Sequence, residues 1–484
     1  MKLLIRPAPE VAIKSKPVRR QQMRHLRQNV RKILARLDAD IRVEGSWDRV
    51  DVEVPEGRGL SGVVINELLR VPGISTIQEI GVFPFVSMND VADRAVAAFA
   101  ERIRGKTFAV RVRRHGDQGF RSIDLEREVG AALMQASSPA GVNLKSPQVE
   151  VRIEVNDDSY HIAHRKHRGL GGYPLGSVET VMTLVSGGYD SSVAAYLMMR
   201  RGLRSHFLFF NLGGTAHEVG VRQVVHYIWE RYGSSHGAKF ISVPFDGVVS
   251  EIMRTVSHRH WGVVLKRQML KAASAIAQQN NAIGLVTGDA VAQVSSQTLT
   301  NLNVVDRASD EVVLRPLVSM DKESIIRIAR EIGTEPYART MPEYCGVISQ
   351  KPATRARLHR VEEDEAQMDA EVLQQAIDRR EDTPVPKLLE TTTTPEDVEL
   401  VHTPEVDDII IDVRHPAEGE QSPLRMTNNR VMQIPFYELN QHIGTLPAEK
   451  QYLLYCDRGT MSRMHAGHLK AEGHTNIKVY APAS

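Results

Sequence analysis

Residues 186–191 read SGGYDS and follow the apolar run VMTLV over 181–185. Two adjacent glycines let bare backbone N–H groups approach an oxyanion closely. The hydroxyls of Ser186 and Ser191 and the carboxylate of Asp190 add polar groups beside them. A strand, a glycine turn and a helix in that order suit phosphate, because the helix aims the positive end of its dipole at the loop. Asp190 is the group that would help hold Mg²⁺ there. The lysine of the common nucleotide loop, G-x-x-x-x-G-K-[ST], is missing. On spacing alone the same residues also fit a plain strand-to-helix turn.

The second reactive candidate is Cys456 in CDRGTMS (456–462), directly after the apolar YLLY and before a helical stretch. Turn N–H groups and a helix N-terminus stabilise a thiolate or a terminal persulfide, and Arg458 adds positive charge. An inert core cysteine is the competing reading, which Gly459 and the polar neighbours disfavour. Cys345 lies in RTMPEYCGVISQKP (339–352), a loop bearing proline and glycine. Alone it reads equally well as structural. Beside a persulfide carrier it gains a role, since a second thiol can close on the sulfur left at Cys456 and release product by exchange. Two cysteines in 484 residues exclude a secreted disulfide scaffold and a cysteine-rich metal site, so no metal site of the protein's own is expected.

Those centres need elements to hold them, and a chain of this length needs more than one core. From 181 onward, apolar strands (VMTLV, HFLFFNL at 206–212, KFISVPF at 239–245, AIGLVTG at 282–288) alternate with helical stretches. That rhythm predicts a doubly wound parallel sheet. Upstream, Met23, Leu26, Val30, Leu34 and Leu37 repeat at helical spacing among arginines, followed by a strand at 49–54 and a helix at 61–70. A second α+β module follows, with helices at 90–104 and 123–136 and strands at 108–114 and 149–155. It closes in the basic, glycine-rich YHIAHRKHRGLGGYP, read as a hinge. The last 80 residues repeat strand, turn and helix, a small α/β domain.

The net charge of +2 conceals an asymmetry. Residues 1–50 carry 13 Lys/Arg against 5 Asp/Glu, while 361–408 carry 3 against 16. The basic end suits a polyanion or is an ordinary solvated face; few aromatics interleave, so backbone and shape recognition is favoured over base stacking. The acidic stretch, with TTTTPEDVEL inside it, reads as a flexible linker. No window approaches the ~18 apolar residues of a membrane span, so no membrane partner and a cytoplasmic protein are expected.

SGGYDS resembles the loop of ATP pyrophosphatases, the enzymes that split ATP into AMP and pyrophosphate to adenylate an oxygen. By that resemblance, TGDAVAQVSSQTLTN (287–301) and VVLKRQMLKAA (263–273) lie beside the nucleotide. Leu184, Val185, Ser186, Gly187, Gly188, Ser191, Lys266, Gly288 and Gln297 become nucleotide-binding positions, although spacing alone leaves Lys266 a solvated helix lysine. CDRGTMS with IIIDVRHPAE (409–418) resembles a rhodanese domain, whose cysteine carries sulfur as a persulfide. The basic half resembles a ferredoxin-like module followed by a THUMP domain, an RNA-binding unit.

Taken together the chain resembles the bacterial tRNA 4-thiouridine synthetase family, with SGGYDS, TMPEYCGVIS and CDRGTMS as the sharp points. The resemblance implies a multidomain α/β and α+β chain: a ferredoxin-like module over 1–60, THUMP over 61–166, an adenylating domain over 175–354, an acidic linker over 355–404 and a rhodanese domain over 405–484. It implies ATP and Mg²⁺ as cofactors, with Cys456, Cys345 and Asp190 as catalytic residues. The implied partners are tRNA, a cysteine desulfurase as persulfide donor, the sulfur-carrier protein of thiazole synthesis and a thiol reductant. ATP would activate O4 of a tRNA uridine and the Cys456 persulfide would replace that oxygen with sulfur. Two other readings remain open on the residues alone: adenylation of a different acceptor such as a protein carboxylate, and a tRNA-binding protein without activity.

Overall fold

A computed structural model describes residues 1–116, 119–212, 214–341, 352–390, 398–414, 419–420, 422–434, 439, 442–457, 459–471 and 473–482. The chain forms two compact units: Met1–Val178 with Arg200–Gly202, and Glu179–Met199 with Leu203–Ser484.

The first unit is built on one eight-stranded sheet. Edge to edge its strands are Arg42–Gly45, Val50–Glu53, Lys2–Pro7, Ile74–Pro84, Ser159–Arg168, Val149–Val155, Thr107–Arg114 and Gly141–Val142. The helix Lys16–Leu34 buries Met23, Leu26, Val30 and Leu34 against it, as their spacing predicts. The helix Ser61–Leu68 packs in the first core, as its place in the first module's pattern predicts, so the expected domain boundary at 60 falls too early. Val64 and Leu68 are buried there with Leu3, Ile5 and Val52. A second core gathers Val91, Phe99, Phe108, Leu125 and Tyr160. The seam between the modules is Ile74–Pro84, antiparallel to Lys2–Pro7 on one side and to Ser159–Arg168 on the other. The glycine cluster expected as a hinge is pinned at one end of that seam: the Gly169 and Gly171 N–H groups donate to the Ser75 and Ile74 carbonyls at 2.8 and 2.7 Å.

The second unit contains the predicted doubly wound sheet. Its order is Val312–Leu314, Gly284–Val286, Thr180–Leu184, Arg204–Asn211, Lys239–Pro244 and Glu381–Pro384. All neighbours pair in parallel except the last strand. Thr180–Leu184 lies between strands that follow it on opposite sides, so the winding reverses there and a crevice opens beyond its carboxyl end.

The acidic stretch is not a free linker as far as residue 390. Helices Leu358–Glu365 and Ala370–Asp378 lie on this domain, with Val361, Ala376 and Ile377 buried in its core. The strand Glu381–Pro384 closes the sheet edge against Lys239–Pro244. The negative charge that suggested solvation has partners: Glu365 accepts from Arg267 Nε and Nη2 at 3.0 and 2.9 Å and from Lys271 Nζ at 3.0 Å. Burial raises its pKa, but those cations outweigh burial and hold it below the usual range. Residues 391–397 lie outside the described residues.

A smaller all-parallel sheet follows, in the order Leu400–Val401, Ile477–Tyr480, Tyr452–Tyr455, Ile409–Asp412 and Arg430–Gln433. Among the described residues no helix is long and apolar enough to cross a membrane.

Candidate active site

The SGGYDS loop leaves the central strand Thr180–Leu184 and turns into the helix Tyr189–Arg200. Val185 extends the ladder by one bond, its N–H donating to the Leu208 carbonyl at 2.8 Å. Gly187 then takes a left-handed conformation (φ +79°), where a Cβ would come within 2.5 Å of Met341 Cε. The left-handed backbone there favours glycine. The loop is braced internally: the Ser186 N–H donates to Ser191 Oγ at 3.2 Å, and the Ser192 hydroxyl to the Gly188 carbonyl at 2.8 Å. From the helix Gly214–Ile228, His217 Nε2 reaches the Ser186 carbonyl at 3.2 Å. Burial pushes the His217 pKa down, against the opposing pull of that carbonyl and Glu218, so a neutral ring donates this bond.

Asp190 faces two donors from distant parts of the chain, Gln293 Nε2 and Lys322 Nζ, each at 2.8 Å. Lys322 opens the helix Lys322–Ile332 and lies 5.5 Å from the centre of the Tyr189 ring. A lysine from another helix therefore stands beside the loop, paired with Asp190. Gly288 makes this approach possible: a Cβ there would lie 2.8 Å from the Asp190 carbonyl carbon and the Ser191 nitrogen.

Behind the loop stands a charged knot centred on Asp289. Lys266 Nζ and Gln297 Nε2 donate to its Oδ1 at 2.5 and 3.0 Å, and Thr287 Oγ1 and Arg315 Nε to its Oδ2 at 2.8 and 3.4 Å. Burial works to raise the Asp289 pKa, but Lys266, Thr287 and Arg315 outweigh it and hold the carboxyl at about 2. Gln297 is buried, and its Oε1 has no hydrogen-bond partner. An amide fixed at one end with its acceptor unspent suits a ligand donor.

The predicted nucleotide positions thus converge. Leu184, Val185, Ser186, Gly187, Gly188 and Ser191 form the strand end and loop, Gly288 abuts it, and Lys266 and Gln297 meet on Asp289. Sequence reasoning missed Asp289, Gln293, Lys322, Arg315 and His217. Asp289 and Gln293 stand inside the stretch TGDAVAQVSSQ already singled out; the other three come from segments with no motif of their own. Among the described residues no group of three or more His, Cys, Asp or Glu could hold a metal ion.

Cys456 follows the carboxyl end of Tyr452–Tyr455, the central strand of the small sheet, and is 6% exposed. Gly459 takes φ +68°, and the helix Thr460–Ala471 begins immediately after it. The Ser462 N–H points at Cys456 Sγ at 3.4 Å, and the Ser462 hydroxyl lies at the same distance. The thiol thus meets a donor from the first turn of the helix. Beside it Arg414, fully buried, donates to Asp412 Oδ2 and Asp457 Oδ1 at 2.7 Å each. Asp412 and Arg414 are the charged residues of the IIIDVR run, and they fix the strand end that carries the cysteine loop. Cys345 and Arg458 lie outside the described residues.

Comparison with known proteins matches the first three domains to family profiles, up to residue 370. A sequence profile described as thiamine biosynthesis protein (ThiI) matches residues 176–370, one for the THUMP domain 85–164, and one for the ThiI ferredoxin-like domain 2–77. A tRNA sulfurtransferase of Marinobacter nauticus is 78% identical over 483 residues, 100% of each chain. The chain belongs to the tRNA sulfurtransferase family. A further family member, from Pseudomonas aeruginosa, is 48% identical, again over 100% of both chains. Of solved structures, a 4-thiouridine synthetase in complex with RNA and bound ATP shares the fold with a TM-score of 0.70 at 23% identity. It covers 79% of this chain and 99% of that one. The ferredoxin-like and THUMP matches flank residues 78–84, within the seam strand of the first sheet, and the family match to 370 takes in the first acidic helix.

Proposed function

We propose that the chain uses ATP to adenylate O4 of a tRNA uridine and then replaces that oxygen with sulfur carried on Cys456, giving 4-thiouridine. The observation that carries this reading is the meeting of Asp190, Lys322 and Gln293 at the SGGYDS loop, on the reversal point of a parallel sheet. The loop and the helix dipole behind it accept phosphate oxygens, and the orphaned Gln297 Oε1 suits a base or ribose donor. Mg²⁺ would be held by Asp190 together with the nucleotide's own phosphates, as hard oxygen ligands suit it, and would neutralise charge on the departing pyrophosphate. O4 displaces pyrophosphate from the α-phosphorus. The outer sulfur of the Cys456 persulfide then attacks C4 and AMP departs with the oxygen. A thiolate from Cys345 attacks the Cys456 sulfur, expels the thiolated base and leaves a disulfide that a thiol reductant must open.

The Ser462 N–H at Cys456 Sγ, in the first turn of its helix, supports a sulfur anion there, and a cysteine desulfurase is the matching persulfide source. The thiamine biosynthesis profile over 176–370 favours a second acceptor, the carboxylate of a sulfur-carrier protein used in thiazole synthesis. The test is incubation with ATP, unmodified tRNA, a desulfurase and cysteine. AMP, pyrophosphate and 4-thiouridine are expected. ADP and phosphate, or sulfur that never appears in the tRNA, would overturn the tRNA reading.

A further inference from the structure

The adenylating domain and the Cys456 domain keep separate cores: among the described residues, the apolar cluster of Ile410 and Leu453 shares no member with that of Leu208 and Ile241. A polar contact joins them. Gln223 on the helix Gly214–Ile228 and His465 on the helix Thr460–Ala471 are 6% and 4% exposed, and their Nε2 atoms lie 2.5 Å apart. The amide N–H donates to a ring nitrogen that carries no proton. Two buried polar side chains from different domains, matched donor to acceptor, make a contact that neither domain needs for its own core.

Each end of this contact leads to a reactive group. Along its helix Gln223 lies six residues from His217, a rise of about 9 Å, and His217 holds the Ser186 carbonyl of the nucleotide loop. On the other side His465 lies one turn from Ser462, about 4.5 Å, and Ser462 touches the Cys456 sulfur. Both helices therefore present their reactive ends within a short span of one shared contact.

We propose that Gln223 and His465 are positioning residues forming a releasable latch, which seats the Cys456 loop on the helix that walls the nucleotide loop. The inference rests on the reading of Cys456 as the sulfur carrier. Seating raises the effective concentration of the persulfide at the activated uridine. Release serves the other half of the cycle, because Cys456 is nearly buried in the seated state and a donor enzyme must reach it. A neutral hydrogen bond suits that duty: its loss is worth about fivefold in an equilibrium, the equivalent of about 1 kcal/mol, so the contact yields to water readily.

The test uses the full-length protein with Gln223→Ala, His465→Ala, the double variant and Gln223→Glu. Three quantities are read: labelled sulfur placed on Cys456 by a desulfurase and cysteine, single-turnover transfer from preloaded enzyme to tRNA at saturating ATP, and the rate of Cys456 alkylation by iodoacetamide. Both alanine variants should load as well as wild type, alkylate several-fold faster and transfer about fivefold more slowly. The double variant should be no worse than either single one, since both remove the same contact. Gln223→Glu should restore transfer by pairing with a protonated His465. Because the two single variants lie in different domains, misfolding of one leaves the other to decide. Wild-type alkylation and transfer in an alanine variant that loads normally would overturn the latch alone. Failure of the wild type itself to take sulfur at Cys456 would overturn the carrier reading and the latch with it.

Discussion

Replacing Asp289 by Asn tests the charged knot behind the nucleotide loop. All four partners of this carboxylate are donors: Lys266, Thr287, Gln297 and Arg315. An amide of the same shape offers one acceptor atom in place of two, and its NH₂ confronts the Lys266 ammonium or the Arg315 guanidinium, neither of which can accept. A carboxyl held at about 2 against an ordinary 3.8 contributes about 2.5 kcal/mol at neutral pH. The side chain is 11% exposed, so solvent screening takes away little of that. Because the folded-state pKa is depressed, the contribution is complete above the ordinary value and is lost as pH falls from 3.8 toward 2. The gap between wild type and Asp289→Asn should therefore be about 2.5 kcal/mol or more at pH 7, equal at pH 5, and narrower below pH 4. Urea unfolding followed by Trp229 and Trp261, both in this unit, in a Trp47→Phe background, measures it. A gap under about 0.5 kcal/mol at pH 7, within the scatter of ordinary surface substitutions, or one that widens on acidification, would refute the argument.

Asp190→Ala removes the acceptor shared by Lys322 and Gln293 and should slow release of AMP and pyrophosphate by roughly 10²–10³-fold, as measured by product chromatography; an unchanged rate would discard its role. Cys456→Ser should retain ATP use and tRNA binding while losing sulfur transfer, and label persisting on that variant would move the carrier elsewhere. A fragment of residues 1–178 should bind tRNA with an affinity that falls steeply with salt; a flat dependence would leave its arginines as solvated surface. Cys345→Ala should load sulfur on Cys456 yet turn over poorly, and wild type without a reductant should stall after about one cycle, with peptide mapping locating the Cys345–Cys456 disulfide.

What the sequence determined by itself is local. Glycines with required backbone conformations, a cysteine on a strand-to-helix turn and apolar runs at strand or helix spacing carry their meaning within a few residues, because turn geometry and burial periodicity are short-range properties. The loop at 186–191, the cysteine at 456 and the parallel sheet that holds the loop were legible for that reason. Only the tertiary structure decided which charges meet. Lys322 is 132 positions from Asp190, and nothing near it in sequence marks it as the cation of a loop that lacks one. The acidic segment misled for the same reason: composition reports charge but not its partner, and Glu365 is neutralised by Arg267 and Lys271, 98 and 94 positions away. Its neighbours Val361 and Ile377 are too sparsely spaced to read as a core, yet both are buried in the core of the parallel-sheet domain. Coulomb pairing and apolar burial act through space, and it is the winding of the sheet that brings those distant residues together.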